Sequence, residues 1–211
     1  MLYVHVLPGP TWVDDAAFEA VSRIAEDAFA ELRSALPDLP TKMYLLVHQT
    51  SQVIPETGDG GFTLGPQCIR WDVDPKGGVA AVARASLRRT LFHESYHCVR
   101  LLHRPQEAAL SDWLTTCVFE GTASVFERKA GIPTTWSEYD PEVMPDWTSE
   151  LLARPMGDDA HEWRFLHPDG RRNIAYRVGS WLVDQAISRS GCSVEDLVAV
   201  SPEEILALAN L

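Results

Sequence analysis

What this chain of 211 residues has little of narrows its class first. Basic residues are few: 18 Lys and Arg stand against 30 Asp and Glu, a formal net charge of −12. So acidic a surface repels the phosphates of nucleic acids and of anionic membranes, and neither is expected as a partner. Apolar runs are short, and none approaches the ~20 residues a membrane span needs. Met1-Leu2-Tyr3-Val4-His5 lacks the basic stretch and long apolar run of a signal peptide, so a cytoplasmic protein is expected. Only four cysteines occur (Cys68, Cys98, Cys117 and Cys192), with no C-x-x-C among them. That excludes a disulfide scaffold and cysteine-rich zinc motifs, and the four read as buried packing thiols. Repeats and low-complexity segments are also absent. The composition does not identify a partner or an oligomeric state.

Apolar residues make up 45 % of the chain, enough for a sizeable core. The elements follow an order. Tyr3–Leu7 reads as a strand. Thr11 with Asp14 resembles a capping box before an amphipathic helix over roughly 13–35, with Phe18, Val21, Ala25, Ala28 and Leu32 at helical spacing. Lys42–His48, Phe62–Leu64 and Gln67–Val73 read as strands, and Gly58-Asp59-Gly60-Gly61 as a turn. Helices are expected over Val79 to about His103, Glu107–Lys129 and Arg172–Ser190, with a turn of helix near 147–153. Ser193-x-x-Asp196 and Ser201-Pro202-Glu203-Glu204 look like caps of two short terminal helices. The expected fold is α+β: a small mixed-sheet lobe with helices over about 1–104, then a mostly helical lobe over about 105–211. Together they make one domain, 1–211, with the active-site cleft between the lobes.

The stretch that carries chemistry is His93-Glu94-Ser95-Tyr96-His97, an H-E-x-x-H. On a helix, residues four apart share a face, so both imidazoles can bind one metal ion. Glu94, one residue round, can hold a water bound to that ion. With seven histidines in the chain, this spacing with an apolar run ahead of it is a rare coincidence. The third ligand has two candidates. His103 has the spacing of the metzincin motif, but Arg100 stands where that motif needs a glycine to turn the chain back. If the helix continues, His103 lies about 100° round and about 9 Å further along the axis. Glu120 is the better candidate. It sits mid-helix among Val118, Phe119 and Gly121, and Gly121 and Ala123 are small enough to let its helix approach the metal helix. Zinc is the expected metal, one per chain.

H-E-x-x-H followed by Glu120-Gly121-Thr122-Ala123-Ser124-Val125-Phe126-Glu127 resembles the gluzincin branch of the zincin metallopeptidases. Within it, the chain is most similar to a family of predicted zinc-dependent proteases named as a domain of unknown function. The Gly58–Gly65 segment and Tyr176-Arg177-Val178-Gly179 match further features of that family, and the likeness covers roughly residues 40–211. The Gly-x-Met-Glu-Asn loop of gluzincin aminopeptidases is absent, so an endopeptidase acting on a peptide or protein substrate is expected. The resemblance implies a zincin-like fold, His93, His97 and Glu120 as ligands, Glu94 as general base, and Tyr176 as donor to the oxyanion. His161 and His167 are alternatives to Tyr176, and Asp112 or Ser124 could orient an imidazole. The competing readings are a catalytically silent zinc-stabilised binding protein, a zinc hydrolase of another amide, and a metzincin-type protease using His103.

Overall fold

The computed structural model describes residues 1–7, 9 and 12–210. They divide into two compact units, Met1–Leu102 and His103–Leu211. The first holds four strands: β1 (Leu2–Leu7), β2 (Met43–Gln49), β3 (Asp59–Gly65) and β4 (Cys68–Val73). Their order in the sheet is β1-β2-β4-β3. β1, β2 and β4 run parallel, and β3 is antiparallel to β4 at the edge. Side chains alternate across a strand. Met43, Leu45, Val47, Ile69, Trp71 and Val73 are buried on one face, while Tyr44, Phe62 and Leu64 remain exposed.

Helix α1 (Asp15–Ala35) buries Val21, Ala25, Ala28 and Leu32 as its spacing predicts, but Phe18 lies 40 % exposed. Its cap is Asp14, whose side chain accepts from the Ala17 N–H; Thr11 lies outside the described residues. Next comes α2 (Val79–Val82), then a π-helical turn (Ala83–Leu87), then α3 (Arg88–His103). The expected single helix therefore contains a π segment, against which α1 packs.

The expected turn at Gly58-Asp59-Gly60-Gly61 is instead the start of β3, because Asp59 belongs to the interior. Its carboxylate is fully buried and accepts from Trp71 Nε1 (2.9 Å), Arg89 (2.9 Å) and Thr90 Oγ1 (2.8 Å). Buried carboxylates persist only when paired and hydrogen-bonded in this way. These bonds tie β3 to β4 through Trp71 and to α3 through Arg89 and Thr90.

The second unit is helical: α4 (Trp113–Lys129), α5 (Met144–Leu152), α6 (Ala160–Arg164), α7 (Ile174–Ser190) and α8 (Pro202–Leu208). The helix expected from Glu107 does not run through to Lys129. Pro105–Ala109 forms a 3-10 turn, Leu110 takes a positive φ of 43°, and α4 starts afresh with Asp112 as its cap. Helix α6 has no counterpart in the sequence reading, and α5 is longer than the turn expected there. At the C-terminus, Asp196–Ala199 forms only a 3-10 turn, whereas Ser201 and Glu204 make a reciprocal capping box for α8. Trp113, Met144, Leu151, Trp163, Trp181 and Leu182 form the core of this unit. No helix among the described residues is long and apolar enough to cross a membrane.

Replacing Asp59 by Ala should remove about 3–5 kcal/mol of stability, the usual cost of breaking a buried ion pair by removing one of its members. Denaturant unfolding measures it. A loss below about 1 kcal/mol, the size of an ordinary hydrogen bond, would show that Asp59 is not an anchor.

Candidate metal centre

The sequence places Glu94 on α3, and its side chain lies against β3. Asp59, Gly61, Thr63 and Gly65 follow one another at the two-residue strand period. Thr90, Glu94 and Cys98 follow at the four-residue helix period. Three side-chain hydrogen bonds link the two rows. Thr90 Oγ1 donates to Asp59 (2.8 Å), Thr63 Oγ1 donates to Glu94 Oε2 (2.8 Å), and Cys98 Sγ donates to the Gly65 carbonyl (3.4 Å). Gly61 lies over the Glu94 stem: a Cβ there would stand 2.7 Å from Glu94 Oε1 and 2.5 Å from Thr90 Cγ2. Only glycine allows so close an approach. The carboxylate of Glu94 is buried, at 7 % exposure.

His93 and His97 stand edge to face on α3, with ring centroids 4.6 Å apart and planes at 85°. One ligand atom from each of His93, His97 and Glu120 lies within 4.8 Å of the others, the one such group of three among the described residues. Two imidazoles and a carboxylate match the three-ligand sets of catalytic zinc sites. His103 is the exposed last residue of α3 and is not in the group. Burial pushes the Cys98 and Cys117 thiols up, and the nearby carboxylates of Glu94 and Glu120 respectively push them further. Both are protonated packing residues beside the group.

Glu120 is buried on α4, and Gly121 next to it has a different role from the one expected. A Cβ at 121 would lie 2.2 Å from the Gly179 carbonyl carbon, and a Cβ at 179 would lie 1.9 Å from the Cys117 carbonyl oxygen. The two glycines therefore bring α4 and α7 together backbone against backbone. Glu120 stands next to Gly121, and Tyr176 one turn before Gly179, on the two helices this contact joins. Tyr176 is half-buried, its ring 6.3 Å from that of Phe165. His161 is exposed, 4.8 Å from the same Phe165 ring. His167 packs on Trp163 at 4.4 Å and pairs with Asp169 at 2.9 Å. Asp112 is occupied as the cap of α4, accepting from Thr115 N–H and Oγ1.

A family model described as predicted Zn-dependent protease (DUF2268) matches residues 21–207. The chain belongs to that family. No curated protein and no solved structure matches it. The family match begins inside α1, upstream of the motifs that carry the resemblance. Family membership and the His-His-Glu group point to the same metal. The sequence marks Gly58–Gly65 as a family feature but not the contacts of Asp59, Gly61 and Thr63 with α3. The signal for those contacts is the alternation of Asp59, Gly61, Thr63 and Gly65, read as a turn followed by a short strand.

Gly61→Ala should destabilise the protein by about 1–3 kcal/mol, the usual cost of overpacking, as the methyl displaces Glu94 and Thr90. Denaturant midpoints of the two proteins test this, and an unchanged midpoint would contradict the contact.

Proposed function

We propose that the protein is a zinc-dependent metallopeptidase of the gluzincin type, an endopeptidase holding one zinc ion per chain through His93, His97 and Glu120. The observation that carries this reading is the convergence of those three donor atoms on a motif whose Glu94 carboxylate accepts from Thr63 of β3. When bound, zinc supplies a Lewis acid and lowers the pKa of a coordinated water to about 7. The residues of the chain do the rest. Glu94 accepts the proton of the attacking water and delivers it to the leaving amine. Tyr176 donates to the developing oxyanion. The outer edge of β3, last in the sheet, is where an extended peptide would add as a further strand, with Phe62 and Leu64 exposed along it. The partner is therefore a peptide or protein, and neither nucleic acid nor membrane. Free thiols throughout fit a reducing, cytoplasmic setting. A silent zinc-binding protein has no use for a buried, oriented carboxylate at position 94.

A peptide-library cleavage assay with elemental analysis tests this reading. Glu94→Gln should keep zinc and lose about 10²-fold or more of the activity, the scale of a general base. Glu120→Ala should lose zinc, and His103→Ala should keep it. Loss of zinc in Glu94→Gln would make Glu94 a ligand. Loss of zinc in His103→Ala but not in Glu120→Ala would favour the metzincin arrangement.

A further inference from the structure

Thr63 is a residue that the metallopeptidase reading does not require, yet it grips the proposed general base. Its Oγ1 lies 2.8 Å from Glu94 Oε2 and 2.9 Å from the Glu94 main-chain oxygen. One hydroxyl proton serves two acceptors. The main-chain oxygen lies inside α3, where the helical ladder already engages it. The carboxylate carries the charge and makes the stronger bond. The Thr63 hydroxyl is also well fixed. Threonine is stiff at χ1. Its strand is tied to α3 upstream by Asp59 and Thr90, and downstream by Cys98 and the Gly65 carbonyl. Gly61 leaves the carboxylate the room to lie against β3.

We infer that Thr63 is a positioning residue: its hydroxyl holds the Glu94 carboxylate in the one orientation from which it takes the proton of the attacking water. The inference rests on the metallopeptidase reading. A glutamate has three side-chain torsions, and a misplacement of about 1 Å in a reacting group can cost on the order of 10²-fold in rate. Thr63 restricts that freedom through its bond to Oε2.

Three variants test it. Thr63→Val keeps the shape and β-branching and removes the donor; Thr63→Ser keeps the donor; Thr63→Ala covers the case in which Val crowds Glu94. Thr63→Val and Thr63→Ala should lower kcat about 10- to 100-fold, with KM within about twofold, and Thr63→Ser should retain most of kcat. Zinc content and Tm should stay near wild type in all three. A second readout needs no turnover: in the Co²⁺-substituted proteins, the visible spectrum of Thr63→Val should move toward that of Glu94→Gln, while Thr63→Ser keeps the wild-type spectrum. Wild-type kcat in Thr63→Val would overturn the inference. So would a Thr63→Ser as impaired as Thr63→Val, or a loss of activity that tracks loss of zinc. If Glu94→Gln is inactive while Thr63→Val is not, only this inference fails. If the wild type holds no metal and cleaves no peptide, the functional reading fails and this inference with it.

Discussion

A buried carboxylate ties β3 to β4 and to α3 in the first unit. Asp59 is shielded from water and accepts from Trp71 on β4 and from Arg89 and Thr90 on α3. Without those donors a charge in the interior would be untenable; with them, β3 has one position along α3. A slip of one residue would turn Thr63 and Gly61 to the opposite face. The reach of Thr63 to Glu94 and the clearance at Gly61 both follow from that register.

A second constraint of a different kind governs the helical unit. Gly121 and Gly179 place the backbones of α4 and α7 closer than any side chain would permit. A glycine inside a helix costs about 1 kcal/mol relative to alanine. Two helices each accept that cost here, which marks the contact as one whose geometry matters. Glu120 precedes one glycine, and Tyr176 stands a turn before the other. The buried cluster around Trp113, Trp163 and Trp181 is drawn from the same two helices together with α5 and α6.

The grouping of His93, His97 and Glu120 was legible in the sequence because its signal is local. Helical spacing alone aligns His93 with His97, and a glutamate set among apolar residues and a mid-helix glycine marks Glu120. The long helices and the core strands were legible for the same reason. What was hidden depends on partners distant in the chain. Gly58-Asp59-Gly60-Gly61 has the composition of a turn, and only the donors on β4 and α3 make it a strand. Gly121 reads as a spacer toward the metal helix until Gly179, 58 positions later, fills the space beside it. The helix expected from Glu107 breaks at Leu110 because Asp112 captures the Thr115 N–H and starts α4 there. Phe18 keeps helical spacing but falls at the edge of the buried stripe.

The chemistry follows from the donor set. Two imidazoles and a carboxylate meet, and the nearby thiols of Cys98 and Cys117 are held protonated by burial. X-ray absorption at the zinc edge, on protein reconstituted with one equivalent of zinc, tests that most directly. The account predicts nitrogen and oxygen neighbours at about 2.0–2.2 Å and no sulfur at about 2.3 Å. A sulfur shell, or a protein that takes up no zinc, would contradict it.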